Sequence, residues 1–258
     1  MNGNLNNQGI FNTNITSSGA IANANGKIGS CMKITSQTDS GYVPNFNTTG
    51  LTMGGWFKFN KSEIASVVSG LSYSSTANSA TGNVLGNTSY GGIGLVWNSN
   101  NYYTSNEFNT LYIFATIRTS TVFVSTSSIT IEFDKWTHIM LIWNTNTRKL
   151  GLYKNGVLVN EKDIGSFSDG VSRNLYLNYR AIYGGNGPSA SIPMYCNDIR
   201  VYDNALTAEE VKKISQGLIL HYPLSDRYNE PTTNLLPTNL QNFSMSGYDA
   251  LSFSCNTS

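Results

Sequence analysis

The sequence is poor in charge. Asp, Glu, Lys and Arg make up 12% of its 258 residues and leave a formal net charge of +1, so no global field draws the chain to nucleic acid or to an anionic membrane. Its basic residues are scattered singly among apolar segments, which removes the electrostatic footprint that nucleic-acid binding needs. Cysteine is scarce too. Cys31, Cys196 and Cys255 cannot all pair within one chain, so a disulfide framework does not organise the fold. Cys31 and Cys196 are candidates for neighbouring strands, and two reduced core thiols is the reading adopted for them over a disulfide. Long apolar runs are missing: the run at 139–143 is far too short to cross a bilayer. The start, Met1-Asn-Gly-Asn-Leu-Asn, has neither the basic stretch nor the apolar core of a signal peptide. With only two histidines, no Ser-His-Asp arrangement can be assembled, and neither Cys-His nor Cys-x-x-Cys spacing occurs.

What is present is turn chemistry and β-propensity. Polarity comes from Asn, Ser, Thr and 24 glycines, the residues that tolerate the left-handed backbone of tight turns, and 15 tyrosines and 11 phenylalanines supply core volume. Residues 51–60 (LTMGGWFKFN) place Leu51, Met53, Phe57 and Phe59 on one face and Thr52, Trp56, Lys58 and Asn60 on the other. Short strands follow at 111–117, 122–124 and 129–133. Residues 136–143 (WTHIMLIW) are apolar on both faces, as a strand in the middle of a sandwich is. Asn155-Gly156, inside KLGLYKNGVLV, predicts a hairpin with a type I′ turn, because both central residues need positive φ. Strands at 175–179 and 192–202 complete the series. With no helical pattern between strands, the fold class predicted is all-β: a two-sheet antiparallel jelly-roll sandwich.

One short helix is predicted near the C-terminal side. Thr207 is its N-cap, Glu210 closes a capping box, Leu206 staples onto Val211, and Gly217 stops it. Residues 1–216 therefore read as one domain. Residues 218–224 (LILHYPL) read as a strand, and the polar stretch 225–237, with Pro231 and Pro237, as a linker, so 217–258 is expected to open a further module.

Five phrases occur in an order that resembles the laminin-G-like, concanavalin A-like jelly-roll family. They are Gly26-Lys-Ile-Gly-Ser-Cys-Met-Lys-Ile34, Leu51-Thr-Met-Gly-Gly-Trp-Phe-Lys58, Trp136-Thr-His-Ile139, Leu152-Tyr-Lys-Asn-Gly156 and Asp198-Ile-Arg-Val-Tyr-Asp-Asn-Ala-Leu206. The resemblance spans about residues 1–216. It implies two antiparallel sheets with loops at the rims, and it implies architecture better than activity. Members bind glycans or proteins, some with calcium at a rim, and many belong to bacterial surface or phage virion proteins. The phrase Gly217-Leu-Ile-Leu-His-Tyr-Pro-Leu224 is similar to segments of phage and prophage structural proteins.

Glucanases of this shape use Glu-x-Asp-x-x-Glu to bring two carboxylates to one bond. Glu161-Lys-Asp163-Ile-Gly-Ser166 lacks the third acid, so a solvated hairpin end is expected there. Glu132-Phe-Asp134 with His138 looks like a lectin metal phrase, but the further oxygen ligands are missing and a hard cation needs several. His138 is instead expected as a hydrogen-bonded core residue packed with Trp136. The resemblance implies an acidic residue at Asp198, which either contributes to a calcium site or anchors a rim loop through backbone donors, with Arg200 as its partner. No other cofactor is expected. Tyr90-Gly-Gly-Ile-Gly and Tyr183-Gly-Gly-Asn-Gly-Pro read as turns, since no strand-to-helix context follows that would cradle phosphate.

Recognition is expected on two aromatic loops. Residues 97–106 carry Trp97, Asn98, Tyr102 and Tyr103, and 179–186 carry Tyr183 and Asn186. Aromatic faces stack on sugar rings while amides bond hydroxyls, and loops on a rigid sandwich are where recognition sits. The function expected is a non-catalytic binding or display module of a phage virion protein, on a head fibre or tail structure, contacting host surface glycan. The alternative is a purely structural assembly module packed against other virion proteins. A homo-oligomer is expected, located in the virion or else at the bacterial surface.

Overall fold

The computed structural model describes residues 16–17, 20–34, 38–43, 50–69, 79–87, 91–99, 108–118, 123–165, 173–178 and 193–217. The strands are β1 (Thr16–Ser17), β2 (Ala20–Asn25), β3 (Ser30–Ile34), β4 (Thr38–Val43), β5 (Gly50–Lys58), β6 (Ser79–Asn87), β7 (Gly91–Ser99) and β8 (Phe108–Arg118). They continue as β9 (Phe123–Ser125), β10 (Ile129–Ile131), β11 (Thr137–Asn144), β12 (Lys149–Lys154), β13 (Val157–Asp163), β14 (Arg173–Leu177) and β15 (Met194–Tyr202). Sheet A runs β1-β4-β14-β6-β7-β8-β10, with β9 also on β8; sheet B runs β13-β12-β11-β5-β15-β3-β2. Pairing is antiparallel in both. This is the two-sheet sandwich the sequence predicts.

The core lies between the sheets because each central strand alternates. Sheet B contributes Met53, Phe57, Ile139, Leu141 and Trp143, and sheet A contributes Leu85, Ile93, Leu111, Ile113 and Ile117. β11 is buried along nearly its whole length, as expected for residues apolar on both faces. Its inward residues join this core, while His138, Met140 and Ile142 point to the outer face of sheet B, where Met140 and Ile142 form a second, smaller cluster with Tyr153 and Val211.

That outer face is covered by α2 (Ala208–Gln216). Its start matches the expected cap: the Thr207 hydroxyl accepts from the Glu210 amide at 3.3 Å, and the Glu210 carboxylate accepts from the Thr207 amide at 2.7 Å. Gly217, at φ 71°, ends it. Leu206 packs on the cluster containing Val211, as the staple requires. Thr207→Ala removes one of these reciprocal bonds and is expected to cost about 1 kcal/mol, read as a melting temperature lower by roughly 2–4 °C.

Two expectations on helices and loops are corrected. A second helix, α1 (Lys61–Ser69), follows β5 directly, so the chain between strands is not free of helix. Its start carries Asn60 three residues before Glu63, the spacing of a cap, but the Glu63 side chain is drawn away to Lys33 and Tyr195. Gly91 and Gly92 lie inside β7 rather than in a turn, paired with both β6 and β8. Asn155-Gly156 forms the predicted turn, with φ of 51° and 80°.

Candidate functional site

The register of sheet B sorts its outer face into rows. Cross-strand partners share a face, so each row is fixed by pairing. His138 pairs with Trp56, and Trp56 with Asn197. One row further along, Met140 pairs with Gly54 and Gly54 with Arg200. On the other side, Lys58 pairs with Tyr195 and Tyr195 with Lys33.

The middle row is the most constrained. The His138 and Trp56 rings meet edge to face at 5.2 Å, an arrangement favoured by the ring quadrupole. The Lys27 ammonium lies 5.1 Å from the centre of the Trp56 ring. Asn197 is fully buried and ties the turn between β2 and β3 to the sheet: its Oδ1 accepts from the Ile28 amide at 2.9 Å and its Nδ2 donates to the Ser30 carbonyl at 2.9 Å. At the other end, the Asn155 side chain accepts from the His138 amide at 3.0 Å, and the Asn155 amide donates to the His138 carbonyl at 2.8 Å.

His138 departs from expectation. It is buried, but its ring packs on Trp56 rather than Trp136, and only its backbone is hydrogen-bonded; Nδ1 and Nε2 have no partner among the described residues. Burial pushes its pKa down to about 4, with the Asp198 carboxylate opposing and the Arg200 guanidinium assisting. It is therefore a neutral imidazole at pH 7.

Asp198 sits in a bulge of β15, where the register against β5 shifts between Asn197 and Arg200, and it takes φ 50°. Its Oδ1 accepts from Arg200 Nε at 2.8 Å, so Arg200 is the partner the sequence suggested. Among the described residues no group of three His, Cys, Asp or Glu side chains converges to hold a metal ion. The Asp198 carboxylate is thus engaged by Arg200, whereas a calcium site needs several oxygen ligands.

The other acidic phrases are dispersed. Glu161 and Asp163 both bond Lys149, at 3.3 and 2.8 Å, on the exposed edge strand β13, the solvated hairpin end expected. Glu132 pairs with Lys135, and Asp134 occupies the turn before β11 at φ 61°. Neither faces His138. Cys31 and Cys196 are free thiols. Burial pushes the Cys196 pKa up to about 12 and raises that of Cys31, so both are protonated packing groups rather than nucleophiles.

The aromatic recognition residues are divided by the fold. Trp97 and Asn98 are not on a loop: they lie within β7, where Trp97 pairs with Ala80 and Leu111 and Asn98 with Ser79 and Thr110. Tyr102, Tyr103, Tyr183 and Asn186 lie outside the described residues. What sequence reasoning missed is the buried row of Trp56, His138 and Asn197, whose members are brought together only by strand pairing.

Two antiparallel sheets around one core, with a helix across the outer face of one of them, define the class as a concanavalin-type sandwich. Residues 35–212 match the family model for the concanavalin A-like lectin/glucanases superfamily, of laminin-G type, and the chain belongs to that family. No curated protein matches it in sequence. Solved structures share its fold. The ligand-binding domain of botulinum neurotoxin serotype D, determined in complex with N-acetylneuraminic acid, is similar over 82% of this chain and 48% of its own, at 11% identity and a TM-score of 0.52. The binding domain of Paraclostridial Mosquitocidal Protein 1 is similar over 81% and 49%, at 16% identity and a TM-score of 0.50. The present chain spans about half the length of these domains. A heptameric SAP-like pentraxin from Limulus polyphemus is similar over 78% and 80%, at 15% identity and a TM-score of 0.42.

Proposed function

We propose that this chain is a non-catalytic binding and display module that recognises surface saccharide, carried by a phage virion protein. The observation that carries the reading is membership of a lectin-type sandwich family by a chain whose glucanase-like acid phrase lacks its third carboxylate and has Glu161 and Asp163 held by Lys149 on an exposed strand. The fold shared with a domain solved with N-acetylneuraminic acid supports the saccharide part. The tail phrase after Gly217 motivates the virion part. Bound saccharide is expected to stack on Tyr103 and Tyr183, so an array of envelope glycans should show binding that weakens about tenfold on Tyr103→Ala or Tyr183→Ala, the order of one lost aromatic contact. A blank array, or binding indifferent to both substitutions, overturns this assignment. Turnover of a glycan that vanishes on replacing Glu161 or Asp163 would make the chain a hydrolase instead.

A second reading is favoured by one feature. The exposed large hydrophobic residues among those described are Val157, Leu158 and Val159, at 61%, 41% and 39% exposure, consecutive on β13 at the edge of sheet B. Unpaired edges and apolar patches are where strands of other subunits add. On this reading the module is an assembly element. Its mass in solution then exceeds that of a monomer, and a strictly monomeric full chain rules it out.

A further inference from the structure

We infer that α2 is a latch over His138 that opens on acidification, ahead of the sandwich itself. The inference goes beyond the binding role and holds whichever saccharide or partner the module takes.

The geometry begins with what lies under the last turn of the helix. A side chain built on Gly156 would run into Ser215 Oγ and come within 3.0 Å of Lys212 Cα, so the hairpin turn is pressed against α2. A side chain on Gly217 would come within 3.3 Å of Ile28 Cδ1. Asn155 is bonded to His138, and Ile28 to Asn197. The last turn therefore spans from the β12–β13 turn to the β2–β3 turn, across the row formed by His138, Trp56 and Asn197. Beneath it, both His138 ring nitrogens and Trp56 Nε1 are buried without a partner among the described residues.

The two ends of the helix are held unequally. At its N-terminal end, Thr52 Oγ1 donates to the Asn204 carbonyl at 2.8 Å and accepts from the Leu206 amide at 3.0 Å, which pins the entering chain to β5. The rest of the contact is packing: Val211 in the small cluster with Met140, Ile142 and Tyr153, separate from the main core, and the last turn against Gly156 and Ile28. A unit with its own small cluster can open without the sheets separating. It opens from the C-terminal end, above the imidazole.

A proton on His138 supplies the drive. The buried cation would need solvent or hydrogen-bond acceptors, and the closed arrangement offers its ring nitrogens neither. The charged groups on the elements packed around it are Asp198 and Arg200 on β15, Lys58 on β5, Lys27 in the β2–β3 turn, and Glu209, Glu210, Lys212 and Lys213 on α2. Of these, the Asp198 carboxylate favours the imidazolium and the Arg200 guanidinium opposes it, so it is burial that keeps the closed ring neutral. In the closed state the imidazole titrates at about 4, and in an open, hydrated state at its usual 6.5. The open state therefore binds more protons between those values. Closure is complete above pH 6.5, and the opening constant rises as pH falls, by roughly 100-fold between pH 7 and pH 4.

Amide hydrogen exchange on the full chain tests this, with rates converted to protection factors at each pH. Amides of α2 are expected to lose roughly 100-fold in protection between pH 7 and pH 4, while those of β5 and β11 stay protected. His138→Leu should flatten the dependence. Val211→Ala, which weakens the latch but keeps the imidazole, should lower α2 protection at every pH and retain the slope. Protection of α2 that is independent of pH, or that falls in step with β5 and β11, overturns the proposal. So does a slope that survives His138→Leu or disappears in Val211→Ala.

Discussion

Gly54→Ala is expected to lower the stability of the protein by about 4 kcal/mol, in the range reserved for clashes in a packed interior. Gly54 lies in the middle of β5, paired with Met140 on β11 and Arg200 on β15. A Cβ there would overlap the Ile139 carbonyl oxygen and stand 2.5 Å from Met140 Sδ and 2.8 Å from Met140 Cα. The sulfur can swing aside; the backbone of a central strand cannot. Relief requires β5 and β11 to part, which breaks the ladder joining them. The expected readout is a melting temperature lower by roughly 8–16 °C. Gly165→Ala separates space from conformation. That glycine has φ 68° and nothing within 4 Å of a built Cβ, so alanine there meets only the strain of the left-handed region, about 1 kcal/mol. A cost at Gly54 no larger than that at Gly165 would show that the close approach of β11 to Gly54 adds nothing.

How legible the fold is depends on where each strand lies. β5 and β11 are central in sheet B and bury both faces, so their sequences carry dense apolar alternation. The β12–β13 hairpin is announced by Asn155-Gly156, whose positive φ values few other pairs adopt. β6, written SATGNVLGN, and β4, written TDSGYV, have composition that suits a loop equally well. Their pairing is imposed by neighbours, β14 in both cases, because strand propensity is largely a property of the surroundings. α1 was hidden for a related reason. Ile64 is buried in the core, and Glu63 bonds across to Lys33 and Tyr195, so the nine-residue helix owes its place to contacts far away in sequence.

The site divides the same way. Asp198 with Arg200 is a pair two residues apart, and local spacing revealed it. The burial of His138 was legible from the apolar run around it, but its ring partner was not. Trp136 is the near aromatic in sequence, while Trp56 is the near one in space, because β5 and not the chain's own preceding turn lies beside β11. Trp97 reads as a loop residue because the polar residues after it mask the end of β7, which runs on to Ser99. The role of Asn197 left no local trace, because its partner Ile28 is 169 residues away.

That long-range link makes Asn197 the second sensitive position. Asn197→Ala leaves the Ile28 amide and the Ser30 carbonyl without the side chain that bonds them, and opens a gap at a fully buried position. Each unsatisfied group costs about 1–3 kcal/mol, so a loss of about 3 kcal/mol in urea unfolding is expected. Asn197→Asp is the sharper comparison. It keeps the acceptor for Ile28 but turns the donor toward Ser30 into an oxygen, so two acceptors face each other, and it buries a charge next to Asp198. Burial and that neighbouring carboxylate raise the folded-state pKa of the introduced acid above its unfolded value of about 3.9. The folded state then holds more protons, so stability falls as pH rises through that interval. The aspartate variant is therefore expected to be less stable than the alanine variant at pH 8 and to recover toward it near pH 5. An aspartate variant as stable as the wild type at pH 8 would mean that the β2–β3 turn is held to β15 by packing alone, with the two hydrogen bonds of Asn197 contributing nothing.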